Sequence, residues 1–154
     1  LDAALDAFAT SIGRRADGKD PAVAKGSGAA GGLGYALMCL GAVRVPGIAT
    51  VMEATGLEDR IRASDLVITG EGRFDWQSLR GKVVSGVATL TMPTARPCVL
   101  IAGDVVVGRR EFSALGVSSA YSIAEVVGSV EAALADPVGT LTQTAARVAR
   151  TWSH

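Results

Sequence analysis

Two carboxylates, two arginines, a lysine and three glycines lie within the thirteen residues from Gly70 to Lys82. The carboxylates are Glu71 and Asp75, the cations are Arg73, Arg80 and Lys82, and Gln77 and Ser78 stand among them. Carboxylates can hold a magnesium ion or take up a hydroxyl proton. Arginine and lysine neutralise phosphate oxygens. Glycines such as Gly70 and Gly72 let a backbone come close to a ligand. This set suits phosphoryl transfer, in which positioning and charge compensation carry most of the catalysis. The spacing alone equally allows a solvated turn with surface ion pairs.

A second cluster is glycine-rich, Gly26 to Gly34, with the sequence GSGAAGGLG. Gly26, Gly28 and Gly31 formally match a dinucleotide fingerprint. The preceding KDPAVAK is no convincing strand, however, and that fingerprint follows a strand directly. The Lys-Ser/Thr ending of a phosphate loop is also missing. What remains is a glycine-rich helix entry around Gly28, Gly31 and Gly32. Its free N–H groups could hold an anion, or its small residues could serve close packing. A third candidate is Asp104, in IAGD, as a site residue or, more commonly, a helix cap.

The elements that would place these groups follow from the apolar pattern. Leu1, Leu5, Phe8 and Ile12 space out an amphipathic helix through Arg15. A polar loop follows, and AAGGLGYALMCLGA over 29–42 reads as a buried helix. Pro46 opens the next helix, which Gly56 stops. Continuous apolar runs predict strands at Asp65–Thr69 and Cys98–Ala102, with a weaker third at Ser118–Ile123. A helix over Lys82–Met92 joins the first two. A short helix ending at Gly116 precedes the third, and one or two helices fill Ser129–Trp152. Strands alternating with helices predict a parallel α/β sheet with flanking helices. In such sheets ligands bind beyond the strands' carboxyl ends, here TGEGRFD and AGD.

Composition narrows the alternatives. The chain has 154 residues, 49% hydrophobic and 19% charged, enough apolar material for a core. Lys plus Arg equals Asp plus Glu at 15 each, so no nucleic-acid footprint is expected. Cys39 and Cys98 lie in apolar runs and read as buried reduced thiols, too few for a disulfide scaffold. The only histidine is His154, read as a frayed terminus, which removes Ser-His-Asp and Cys-His chemistry within this chain. No apolar run approaches the ~20 residues needed to span a bilayer, and no signal peptide is visible. The cytoplasm is therefore the expected compartment.

Taken together, GAAGGLG at Gly28–Gly34 and ITGEGRFDWQSLRGK at Ile68–Lys82 resemble the glycerate kinase family. The resemblance continues in order through PGI at Pro46, GVA at Gly86, IAG at Ile101 and TAARVAR at Thr144–Arg150. Phe74 replaces a smaller aliphatic residue of the family pattern, and Val84 a proline. The resemblance implies transfer of the γ-phosphate of ATP to a hydroxyl of D-glycerate, with Mg²⁺. It implies two α/β units. Residues 65–154 would belong to the Rossmann-like one, and 1–64 would be the helical and glycine-loop part of the second, with a cleft between them. Asp75, Glu71, Arg73 and Lys82 become candidate catalytic residues, with Glu71 and Asp75 also as metal ligands. Gly28, Gly31, Gly32, Gly70, Gly72, Gln77 and Ser78 become candidate contacts to substrate or phosphate, the glycine loop lying close to the Glu71–Asp75 loop. Family members are roughly twice this length or more. The expectation is a C-terminal portion whose partner is the missing N-terminal part of the same enzyme. Alone it would be inactive and would self-associate through an exposed apolar face. A non-catalytic scaffold of the same fold is the alternative.

Overall fold

The computed structural model describes residues 2–153, so Leu1 and His154, with the expectations placed on them, lie outside the described residues. By contact the chain divides into two compact units, Leu1–Pro46 and Gly47–His154.

The first unit holds helices α1 (Asp2–Ile12) and α2 (Ala29–Cys39). Phe8 of α1 meets Tyr35 of α2 edge to face, with ring centroids 5.7 Å apart. Asp20 caps a single 3₁₀ turn, Pro21–Val23, by accepting from the Ala22 N–H. Helical geometry in α2 begins only after Gly32, because Ala30, Gly31 and Gly32 all have positive φ. The expected buried helix is a correction. Only Gly32 and Tyr35 of α2 are buried, while Leu33, Leu37 and Leu40 are exposed. Its uniformly apolar sequence hid which face packs inside the chain.

The second unit is the α/β part. Its elements are α3 (Gly47–Ala54), α4 (Leu57–Arg62), β1 (Val67–Phe74), α5 (Val83–Thr91), β2 (Cys98–Val105), α6 (Arg109–Ala114), β3 (Ser119–Ser122), α7 (Ile123–Val127), α8 (Val130–Ala135) and α9 (Pro137–Trp152). The strands form one sheet in the order β1-β2-β3, and both pairs are parallel, as the helical crossovers require. Strand β2 is the middle strand, and Cys98–Ala102 are all buried. Its alternating side chains feed two cores. Leu100 and Ala102 pack with Phe74, Val84, Val87, Phe112 and Met52. Val99 and Ile101 pack with Ile123, Ala133 and Val148 on the other face. A parallel sheet covered on both faces is the arrangement its apolar runs demand.

Local sequence explains the helix boundaries. Ser122, Ser129 and Asp136 accept from the N–H of Glu125, Ala132 and Gly139 and so start α7, α8 and α9. Pro137 sits in the first turn of α9, where its missing donor costs nothing. Gly56, Gly116 and Gly128 take left-handed conformations at helix junctions. Met52 of α3 lies in the same core as Phe74 and Val84, so α3 packs with the sheet-bearing unit. Cys98 is buried, Cys39 is half-buried and both are free thiols.

Candidate active site at the strand ends

Strand β1 runs further than the apolar run suggested. It extends through Gly70, Glu71, Gly72, Arg73 and Phe74, which were expected to form a loop beyond the strand. Pairing with β2 explains this correction, since Arg73 faces Asp104 and Phe74 faces Val105 in the ladder. Glycines make that close approach possible. A Cβ at Gly70 would lie 2.5 Å from the Ile101 carbonyl oxygen, and one at Gly103 would strike the Gly72 carbonyl. Strict alternation would put Val67 and Phe74 on opposite faces. Both pack against the same core, so the strand departs from strict alternation between them. Gly70 therefore serves strand pairing. A Cβ at Gly72 would meet nothing, so this glycine has neither a packing reason nor a positive φ.

The two acids differ in what surrounds them. Glu71 is half-buried, and its Oε1 is shielded from solvent without a hydrogen-bond partner. A buried unpaired oxygen of this kind costs about 1–3 kcal/mol and seeks a donor, a proton or a cation. Asp75, in contrast, is satisfied. Its Oδ1 accepts from the N–H of Gln77 at 2.9 Å and of Ser78 at 3.2 Å, and lies 3.4 Å from the Ser78 hydroxyl. Partial desolvation alone would raise the Asp75 pKa. The N–H groups of Gln77 and Ser78, the charge of Lys82 and the Ser78 hydroxyl outweigh it, and the pKa falls below the ordinary aspartate value. Asp75 is thus a poor proton acceptor at neutral pH and a strong anchor for the turn after β1.

A stability signature follows from that shift. A carboxyl whose folded pKa is depressed adds stability above its unfolded pKa and loses it as pH falls through the folded pKa. Asp75→Asn is therefore expected to melt at a lower temperature than the parent near pH 7. The difference should shrink as pH drops below about 4, the unfolded aspartate value, and vanish below the folded one. Thermal melts of parent and variant from pH 7 to pH 2.5 would check this. A difference that persists undiminished at pH 2.5 would show that the charge of Asp75 does not hold the turn.

The remaining residues of the cluster divide in the same way. Ser78 is fully buried. Its hydroxyl accepts from the Asp75 N–H and lies 3.3 Å from the Arg73 carbonyl oxygen, so it is occupied inside the turn. Gln77, Arg80 and Lys82 are exposed on the turn leading into α5. Arg73 is exposed and reaches Asp104, with Nε 3.6 Å from Oδ2. Asp104 is the residue that sequence reasoning placed too loosely. It lies within β2 opposite Arg73, and α6 begins later, after Gly108. The register of a parallel pair was the missing signal. Trp76 is 60% exposed on the same turn. A cleft of about 1000 Å³ opens beside Gly70, Gly72 and Arg73 and is walled by Ile68, Leu134 and Leu141.

The glycine loop lies in the unit Leu1–Pro46. A cavity of about 530 Å³ is lined there by Asp2, Asp6, Ser27, Gly28, Gly32 and Tyr35. The glycines have separable reasons. A Cβ at Gly34 would strike the Gly26 carbonyl, and one at Gly32 would strike Leu5. Gly31 has open space but needs φ +67°, where a side chain is strained. Gly28 has an ordinary φ of −75° and open space. Gly28→Ala and Gly72→Ala are accordingly expected to change stability by less than about 0.5 kcal/mol, the range of featureless surface substitutions. Gly34→Ala should lower the melting temperature clearly. Ligand binding then discriminates: loss of ATP or glycerate affinity in Gly28→Ala or Gly72→Ala marks an open approach, and unchanged affinity in both removes these two glycines from the site.

Comparison with known proteins points the same way along the whole chain. The model of the glycerate kinase family matches residues 1–153. An uncharacterised protein of Mycobacterium tuberculosis is 40% identical over 149 residues, covering 97% of this chain and 39% of its own. A glycerate kinase of Halalkalibacterium halodurans is 36% identical over 150 residues, again covering 97% of this chain and 39% of its own. Among solved structures, a Salmonella typhimurium LT2 protein provisionally named glycerate kinase 2 superposes with a TM-score of 0.59 at 38% identity. That match covers 79% of this chain and 30% of the other. The chain thus spans about two-fifths of the length of the curated relatives it matches.

Proposed function

This chain belongs to the glycerate kinase family, and from that premise we propose that it forms one part of an ATP-dependent glycerate kinase. The observation that carries the reading is the placing of Glu71, Arg73 and Asp104 at the carboxyl ends of paired β1 and β2, with Asp75 on the turn that follows. Parallel sheets offer that edge to ligands. In the reaction, a hydroxyl oxygen of D-glycerate bonds to the γ-phosphorus of ATP, the bond from that phosphorus to the bridging oxygen breaks, and ADP leaves. The hydroxyl proton must go to a base.

In this reading the two acids take different parts. Glu71, with its unpartnered buried oxygen, is the candidate to take the proton or to hold a metal. Asp75 holds the turn, and through it the approach of Arg73 and Lys82 to phosphate or carboxylate groups. Magnesium, when bound, would neutralise charge on the phosphate oxygens. Among the described residues no three His, Cys, Asp or Glu side chains converge on one point. A magnesium ion that keeps several waters and binds substrate phosphates needs only one or two carboxylates, so Glu71 fits that partial role. Gly28, Gly31 and Gly32 are candidate contacts to an anionic ligand within the unit Leu1–Pro46, where Gly28 and Gly32 line the cavity. Residues 65–154 would provide the strand-end groups. A cytoplasmic compartment suits a chain in which no described helix is long and apolar enough to cross a membrane.

The test is direct. Glycerate-dependent release of ADP is measured for the 154-residue chain and for a polypeptide of the relatives' length that contains it. The expected result is turnover in the longer polypeptide and little in the chain alone, because a cleft enzyme needs both walls. Exposed Trp76 supplies an independent readout, since ATP reaching the turn should change its fluorescence while Trp152, hydrogen-bonded to Tyr121, stays constant. A longer polypeptide that neither turns over glycerate nor responds at Trp76 would favour the scaffold reading instead.

A further inference from the structure

Arg73 and Asp104 stand opposite each other in the β1–β2 ladder, near the carboxyl ends of both strands. The backbone that carries them is fixed on both sides. Just before the pair, a Cβ at Gly103 would strike the Gly72 carbonyl, so the strands run as close as glycine allows. Just after it, Phe74 pairs with Val105, and the Val106 N–H donates to the Phe74 carbonyl at 3.0 Å. The two side chains differ in freedom. Asp104 is short and 27% exposed, whereas Arg73 is long and 66% exposed. An untethered arginine at such a place samples many rotamers, and a ligand that binds through it must arrest them. Asp104 already limits them, with its Oδ2 lying 3.6 Å from Nε of Arg73. That contact uses the inner nitrogen of the guanidinium. Nη1 and Nη2 make no hydrogen bond among the described residues. Those two nitrogens offer the parallel N–H pair that matches two oxygens of a phosphate or a carboxylate.

We propose that Asp104 is a positioning residue: it holds the Arg73 guanidinium through Nε, so that the two Nη groups meet two oxygens of an anionic ligand at the strand ends. The inference rests on the reading of the chain as one part of a glycerate kinase. That reaction brings two ligands of this chemistry, the phosphates of ATP and the carboxylate of D-glycerate. Charge alone predicts the opposite effect. Glu71 and Asp104 place two carboxylates beside one arginine along the same cleft, and each repels an incoming anion. An exposed ion pair of this kind also adds little to folding stability. Preorganisation of the guanidinium is the contribution that offsets the repulsion. The sign of one measurement therefore separates the two roles. Removing a bystander carboxylate tightens anion binding, and removing a tether loosens it.

Titration calorimetry with inorganic pyrophosphate and with D-glycerate tests this, in a polypeptide of the relatives' length that contains the chain. Asp104→Ala is expected to raise Kd for one of the two probes about 10-fold, the scale of a weakened charge-assisted contact. KM for the matching substrate should rise by a similar factor while kcat stays within about 3-fold, because the tether acts on binding. Asp104→Glu keeps a carboxylate and should recover most of the affinity. Weakening confined to pyrophosphate assigns the Arg73 fork to a phosphate, and weakening confined to glycerate assigns it to the carboxylate. In an Arg73→Lys background, which lacks Nε, the Asp104 substitution should weaken binding no further. Asp104→Asn keeps size and a poorer acceptor, and it serves as the second variant if Asp104→Ala does not fold. It should shift Kd in the same direction by less. Unchanged or tighter binding of both probes in the Asp104 variants overturns the inference, as does a full further loss in the Arg73→Lys background. A parent that binds neither probe overturns it as well. The kinase reading fails separately. A parent that binds pyrophosphate through Arg73 and Asp104 without glycerate-dependent ADP release keeps the tether and removes the enzyme. An active parent whose Asp104→Ala variant binds both probes as tightly does the reverse.

Discussion

Glu71→Gln, made in an active polypeptide of the relatives' length, is expected to lower kcat about 10²- to 10³-fold with folding intact. That range, ~2.7–4 kcal/mol, is the scale for removing one electrostatic contact made in the transition state. The variant keeps the size and hydrogen-bonding reach of the side chain and removes its ability to take a proton or bind a cation strongly. Stability should move the other way. The Oε1 of Glu71 is buried without a partner, and an amide is cheaper to bury unpaired than a carboxylate. A melting temperature equal to or above the parent's is therefore expected beside the lost turnover. Asp75→Asn should show the converse, a lowered melting temperature at neutral pH with a smaller loss of turnover, because its Oδ1 is spent on the Gln77 and Ser78 amides. Parental kcat in Glu71→Gln would remove Glu71 from the chemistry, whatever its stability. The opposite ranking, with Asp75→Asn the slower enzyme and unchanged in melting, would transfer the role to Asp75.

Phe74→Ala should be the most damaging substitution within the Gly70–Lys82 string, at about 3–5 kcal/mol of stability, the cost of truncating a buried Phe. Phe74 is completely buried among Val84, Val87, Leu100 and Phe112. Val84 lies fully buried in the same core. For a chain of this size such a loss shifts Tm by roughly 10 °C. Phe74→Leu should cost less, since it leaves a smaller cavity. Trp76→Ala, two residues on but 60% exposed, should change stability by less than about 0.5 kcal/mol. Urea unfolding of the three variants checks the order. Equal losses at positions 74 and 76 would mean that burial does not decide the role of each residue in this string.

What could be read without coordinates was whatever depends on local pattern. The apolar runs at Asp65–Thr69 and Cys98–Ala102, with a helix between them, specified parallel strands, because a crossover of that length allows little else. The strand at Ser118–Ile123 was legible for the same reason, although Ile123 opens α7 instead. The resemblance to the glycerate kinase family was legible as well, and the family model matches residues 1–153. Pattern failed where one motif contained residues of opposite fates. Glu71, Asp75 and Ser78 are all polar and closely spaced, and no periodicity separates an orphaned carboxylate from a satisfied cap or a buried hydroxyl. Only the strand pairing does so, by extending β1 to Phe74, setting Arg73 against Asp104 and turning the chain at Asp75. The glycines divide by the same cause. Gly70, Gly103 and Gly34 are needed because another backbone passes close by, while Gly28 and Gly72 have open space. Sequence determined the elements and the family, since both are written in the order of residue types along the chain. Tertiary structure decided which side chain is free to act, since burial and partnership come from segments far apart in that order.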